Sequence, residues 1–242
     1  QPKVDVLVIS NNSDEPKKNY LKKNTNIIYS HNFDYDFFIK TNQQNIILKD
    51  KFFTFVDQNL PDHPDMTVYR NKEININRKN YWTEIVELLK YLECTFNLKA
   101  KIIPHPTTNE SILNEFLSEF EIIKEDKSHI IKNSDFVICH ESTLVHLAIL
   151  WNIPIKPIIP ESIKKETFYT DNILYFAEEL GLKTDLDFKS DLHKQIYNSI
   201  NKKKYLEYKD KYIISDKSDP NKLFWDIFLD EICLINKKYS EK

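Results

Sequence analysis

Hydrophobic positions along the chain fall into two regimes. Up to about residue 50 they form short runs rich in Ile and Val, at Val4–Ser10, Asn26–Ser30 and Asn45–Leu48, which predict strands separated by polar turns. Too few helical patterns accompany them to complete an α/β domain. From Lys51 onward strands and helices alternate: strand Phe52–Val56, helix Lys79–Phe96, strand Lys101–Pro104, helix Ser111–Phe120, strand Asp135–Cys139, helix Thr143–Trp151 and strand Ile155–Ile159. Such alternation predicts βαβ units and a parallel sheet with helices on both faces. Within Lys79–Phe96, Ile85, Leu88, Leu89 and Leu92 recur at helical spacing, and Tyr81 and Phe96 extend the stripe.

Beyond these, a helix over Thr170–Leu180 stops at Gly181, and Leu182–Phe188 reads as a last edge strand. A lysine-rich helix is expected through Ser190–Tyr212. Asp219-Pro220 reads as N-cap and first position of a final helix whose apolar face is Leu223, Phe224, Ile227, Phe228 and Ile232. The boundary suggested at Lys49–Lys51 divides the chain into a short, incomplete N-terminal α/β portion, 1–50, and a Rossmann-like domain, 51–242.

Composition narrows the chemistry. Gly181 is the single glycine of 242 residues, so no glycine-rich phosphate loop can form. A net charge of −3 removes the general electrostatic case for a nucleic-acid partner. Cys94, Cys139 and Cys233 are odd in number and widely spaced, which suits reduced buried thiols, and no His or Cys spacing suggests a metal; His31, His129, His146 and His193 read as structural. Apolar runs are too short to span a bilayer, and a cytoplasmic location is the default expectation. Lys202, Lys203 and Lys204 read as a solvated helix face that could also touch an anionic membrane surface.

Ligands of doubly wound sheets bind beyond the carboxyl ends of the strands, so the polar clusters that follow each strand are the candidate site. Asp57, Asp62 and His63 follow the first strand of the series; His105, Pro106, Thr107, Thr108 and Asn109 follow the second; His140, Glu141, Ser142 and Thr143 follow the third. His105 on its proline turn can donate to a phosphate, with Thr107 beside it. Glu141, Ser142 and Thr143 open a helix, where free backbone N–H groups favour an anion, although Ser142 serves equally as an ordinary N-cap.

The order of "DQNLPDHPD", "HP" and "IKNSDFVICHESTLVHLAILWNIPI" resembles the C-terminal, donor-binding half of GT-B glycosyltransferases of bacterial surface polysaccharides, most of all the sialyltransferase-like enzymes that use CMP-activated sugars. That resemblance covers about Phe52 to Pro160. It implies a GT-B type Rossmann-like sheet, with phosphate contacts at His105, Pro106, Ser142 and Thr143. It also implies transfer of a sialic-acid-like or Kdo-like sugar from a CMP donor, as co-substrate and without a cofactor or metal, to a glycan or glycolipid acceptor. The base is sought among Asp57, Asp62 and His63. A non-catalytic nucleotide- or glycan-binding module, or an envelope transferase using a UDP-sugar or phosphoenolpyruvate, are the alternatives; homo-oligomerisation is left open.

Overall fold

Every residue of Phe52–Val56 is buried, on both faces of the strand, as expected of the centre of a parallel sheet covered on two sides. This strand organises the larger part of the molecule. The computed structural model describes residues 4–12, 21–44, 46–63, 76–186, 188, 190–198 and 200–240. In chain order its elements are β1 (Val4–Ile9), β2 (Leu21–Tyr29), α1 (Phe33–Gln44), β3 (Phe52–Val56), α2 (Arg78–Phe96), β4 (Lys99–Ile103), α3 (Glu110–Phe116) and β5 (Glu121–Ile122). They continue with α4 (Lys127–Asn133), β6 (Val137–Cys139), α5 (His146–Leu150), β7 (Ile155–Pro157), α6 (Thr167–Leu180), α7 (Leu192–Tyr197), α8 (Lys202–Tyr212) and α9 (Phe224–Ser240).

These elements form two compact units, Gln1–Asn45 with Tyr205–Lys242, and Ile46–Lys204. The division differs from the expected 1–50 and 51–242: the first cut falls close to the sequence boundary, but the C-terminal helix belongs with the N-terminal strands.

In the second unit five strands pair in parallel in the order β5-β4-β3-β6-β7. The pleat of β3 sends Phe53 and Phe55 into a core with Tyr81, Trp82, Ile85, Leu89 and Leu92 of α2. On the opposite face Thr54 bonds through its hydroxyl to Ser134, which in turn donates to the Ile130 carbonyl of α4. Both faces are therefore covered, and the mixed α/β architecture with a parallel sheet is the one expected. The chain steps outward from β3 to β4 to β5 and then returns to the other side of β3 to begin β6. A topological switch point consequently lies between β3 and β6.

In the first unit β1 and β2 form a two-stranded parallel sheet, and α9 lays Ile227, Phe228, Ile232 and Ile235 against Ile28, Val6 and Val8. Its apolar face is thus covered by the N-terminal strands. Asp36 of α1 ties the start of α9: its Oδ1 accepts the Phe224 backbone N–H at 2.8 Å and lies 2.9 Å from Nε2 of the fully buried His31. Asp36→Ala would orphan one buried N–H and leave the imidazole without its carboxylate, and is expected to cost about 1–3 kcal/mol in chemical denaturation, with an unchanged denaturant slope.

Several boundaries differ from the sequence reading. The described residues of Asn45–Leu48 and of Leu182–Phe188 are not strands, while α1, α4 and β5 carry no prior expectation. The single helix expected over Ser190–Tyr212 is two, α7 and α8. Asp219-Pro220 forms a turn in which Oδ1 of Asp219 accepts the Asn221 N–H, and α9 begins only at Phe224. No described helix is long and apolar enough to cross a membrane.

Candidate functional site

Parallel pairing brings the ends of β3, β4 and β6 to one rim, since Val56 stands beside both Ile103 and Cys139. The loops that follow hold the sequence-predicted residues. At the switch point between β3 and β6 lies a cavity of about 250 Å³, walled by Gln58, His63, Glu141, Ser142 and Thr143, and closed by Phe168, Tyr169, Asn172 and Ile173 of α6. Gln58 joins its two sides by accepting the Glu141 N–H at 2.7 Å. His63 bridges toward the β4 loop, its ring centroid 5.0 Å from that of His105.

The β4 loop is a turn closed by the Thr108 N–H on the His105 carbonyl at 2.9 Å, with Pro106 at its second position, where the fixed φ of proline suits it. Nδ1 of His105 accepts the Thr107 N–H at 3.3 Å and lies 2.7 Å from the Thr107 hydroxyl. An accepting Nδ1 places the proton of the neutral ring on Nε2, making that nitrogen the donor. Asn59, held in the left-handed region at φ 49°, adds an amide N–H on Thr107 Oγ1 at 3.3 Å.

Two of the expected carboxylates have other work. Asp57 is 2% exposed and absent from the cavity wall. Its oxygens accept the N–H of Asn59 at 2.7 Å, the Thr108 hydroxyl at 2.7 Å and the His105 N–H at 3.2 Å. Burial raises its pKa, and these three hydrogen bonds oppose the rise. Asp57 is therefore a tie between the β3 and β4 loops rather than a base that reaches a substrate. Asp62 pairs with Arg78 and also stands outside the cavity wall. Pro64 and Asp65, which follow His63 in the "DQNLPDHPD" segment, lie outside the described residues. No group of three or more His, Cys, Asp or Glu placed to hold a metal occurs among the described residues.

Glu141 is the carboxyl that does line the cavity, and burial raises its pKa. Its side chain takes no hydrogen bond among the described residues. Ser142 accepts the Leu144 N–H at 3.3 Å and so caps the chain turn that follows. The expected helix Thr143–Trp151 is a 3-10 turn, Thr143–Val145, and the five residues of α5. Such short pieces carry little macrodipole, so the helix end itself offers little attraction for an anion.

Sequence reasoning missed His140 as a structural centre. It is fully buried, donates from Nδ1 to the Ile158 carbonyl at 2.8 Å and accepts at Nε2 from the Tyr81 hydroxyl at 2.8 Å. Burial pushes its pKa down to about 4, so the ring is neutral and its tautomer fixed. His140 thereby clamps the Glu141–Thr143 turn between α2 and the end of β7. No local signal could reveal this, because Tyr81 is 59 residues away in sequence.

No family model matches the chain, and no curated protein does. Among solved structures, S. aureus MnaA with UDP is similar at 14% identity and a TM-score of 0.41, over 82% of this chain and 58% of that one. Methanocaldococcus jannaschii UDP-GlcNAc 2-epimerase in complex with UDP-GlcNAc and UDP gives 14% identity and a TM-score of 0.37, over 61% and 43%. Thermosulfurimonas dismutans KpsC, a beta Kdo 2,7 transferase, gives 18% and 0.29, over 51% and 38%. The chain thus spans between 38% and 58% of the length of these three proteins. None of the three is named as a sialyltransferase.

Proposed function

We propose that the Ile46–Lys204 unit binds a nucleotide-activated sugar at the β3/β6 switch point and serves a glycosyltransferase of surface-carbohydrate assembly, with a CMP-activated acidic sugar as donor. The observation that carries this reading is the content of the cavity wall. It holds His63, Glu141 and the hydroxyls of Ser142 and Thr143. A monophosphate leaving group can be met by hydroxyls and a histidine donor of this kind. At about 250 Å³ the cavity is smaller than the ~300–1,000 Å³ of typical ligand sites, so it suits the phosphate and the adjoining ring rather than a whole donor.

In this reading Ser142 and Thr143 of the cavity wall stabilise charge on the departing phosphate; His105 stands outside that wall, beside His63, and its Nε2 donates from the β4 loop to the part of the donor that projects beyond the cavity, with Thr107 orienting the ring. Glu141 takes the proton of the acceptor hydroxyl as the hydroxyl oxygen attacks the anomeric carbon and the bond to the phosphate oxygen breaks. Asp57, Gln58 and His140 position these groups. The acceptor is a glycan or glycolipid at the inner face of the membrane, and the Lys202–Lys204 run is a place for peripheral contact.

A thermal-shift panel of CMP, UDP, GDP and phosphoenolpyruvate tests the donor class. CMP is expected to stabilise the protein, by about 2.7 kcal/mol at a hundredfold excess over Kd, with no comparable shift from the others, and His105→Ala should diminish that shift. Stabilisation by UDP or phosphoenolpyruvate in place of CMP would overturn the donor assignment. A second reading, a binding module without catalysis, is favoured by the two-stranded sheet of the first unit, which is not a second Rossmann-like domain among the described residues. Turnover of a CMP-sugar by the purified chain would exclude it.

A further inference from the structure

The two ends of α6 face different cavities. Phe168 and Tyr169, in its first turn, close the site at the strand ends, while Gly181, just past its last residue, lines a larger cavity of about 650 Å³. From Ile173, the last residue of α6 in the first wall, to Gly181 the helix rises roughly 12 Å. The larger cavity begins at Ile155 and Lys156, the first residues of edge strand β7, and so lies toward the opposite rim of the sheet. Its volume falls within the ~300–1,000 Å³ of small-molecule sites.

Lys156 sets the character of this cavity. It is 3% exposed, and its ammonium donates to the carbonyls of Lys183 at 2.8 Å and Asp185 at 2.6 Å. These bonds replace the ladder that an edge strand at 182–188 would have made. They use two of the three N–H groups of the ammonium, and no carboxylate among the described residues lies within ion-pair distance of it. A buried charge normally has a counter-charge, because carbonyl dipoles offset only part of the lost hydration. Burial accordingly pushes the Lys156 pKa down to about 8, with Asp185 opposing from farther away.

The rest of the wall adds positive charge. Lys183, Lys194 and Lys202 line the cavity with exposed side chains, against one carboxylate among the described residues, that of Asp185. Asn201 contributes an amide, and its Nδ2 would stand 3.6 Å from a Cβ placed on Gly181, which shows how closely the 201–204 segment approaches the end of α6. A buried ammonium with no carboxylate at ion-pair distance, beside three exposed lysines, one of them 4.0 Å from Asp191, one carboxylate and neutral amides, leaves a net positive donor set that suits a small polyanion.

We infer that this cavity is a second small-molecule site, separate from the one at the strand ends, and that it takes a ligand bearing two or more anionic oxygens, with Lys156 as the fixed contact and Lys183, Lys194 and Lys202 as the mobile ones. A ligand here touches α6 at one end while the donor touches it at the other.

Gly181 provides the readout. As the chain's single glycine it gives one glycine amide resonance in protein labelled with 15N-glycine. Titration with inorganic pyrophosphate is expected to move that resonance saturably. Sodium chloride at matched ionic strength should not reproduce the shift. Lys183→Glu/Lys194→Glu, which alters only exposed side chains, should raise the apparent Kd at least about tenfold, equivalent to ~1.4 kcal/mol. Lys156→Met should do the same, and the double variant decides the matter if Lys156→Met does not fold. Absence of a saturable shift up to about 10 mM pyrophosphate, an equal shift with chloride, or unchanged affinity in the double variant would overturn the inference.

Discussion

Replacing Glu141 with glutamine is expected to lower glycosyl transfer by about 10²- to 10⁴-fold while leaving CMP affinity within a few fold of wild type. The glutamine keeps the volume of the side chain and the backbone N–H that Gln58 holds, so the cavity wall persists. What disappears is a carboxylate able to take a proton. Among the carboxyls singled out in the sequence, Asp57 is closed off by three donors and Asp62 is paired with Arg78, whereas Glu141 stands in the wall.

The pH dependence carries the same argument. Burial raises the Glu141 pKa, so the acid limb of the wild-type rate profile should lie above the ordinary glutamate range, with activity growing as pH rises through the raised value. In Glu141→Gln that limb should vanish along with most of the rate. Wild-type turnover in the variant, or an unshifted acid limb, would remove Glu141 from proton transfer and return the search to His63.

Which parts of this arrangement could be read from the sequence follows from range. Strands β3 and β6 are buried on both faces and β6 shows as a continuous apolar run, as β3 does but for Thr54; β4 and β7 lie in Ile-rich stretches that lysines interrupt; and α2 shows its stripe at Tyr81, Ile85, Leu89 and Leu92. Parallel pairing of those strands then forces His63, His105 and Glu141 to one rim. Helix α1 escaped because its pattern is inverted in part: Phe33 and Phe37 are exposed while Asp36 and Thr41 are buried. Strand β2 starts at Leu21 with exposed Lys23 and Asn24, which look like turn residues in sequence. At 182–186 the apolar residues suggested an edge strand, but the Lys156 ammonium takes the carbonyls a ladder would need. The roles of Asp57 and His140 rest on partners 48 to 59 residues away. Residue type marked them as candidates for chemistry; only burial and hydrogen bonding reveal that they hold the loops on which the chemistry would take place.

Asp57→Ala is expected to be the most damaging single change at this rim for stability, at about 2–4 kcal/mol. The alanine leaves the N–H groups of Asn59 and His105 and the Thr108 hydroxyl without their acceptor in a site 2% exposed to water. Each orphaned buried donor costs about 1–3 kcal/mol, offset in part because the buried carboxylate itself is no longer desolvated. Asp57→Asn should fall between wild type and alanine, since one amide oxygen can still accept from Asn59 while the amide nitrogen faces the His105 N–H. The sign of the pH effect separates this account from a surface role. The folded-state pKa of Asp57 is raised, so folding favours its protonated form, and its contribution to stability declines as pH rises from the unfolded value through the folded one. Wild type should therefore show a component of stability that grows on acidification through that window, and both variants should lack it. Because the same carboxylate holds the His105 backbone, Asp57→Ala should also weaken CMP binding. A variant with wild-type stability across pH and intact CMP binding would show that the β3 and β4 loops hold together without this tie.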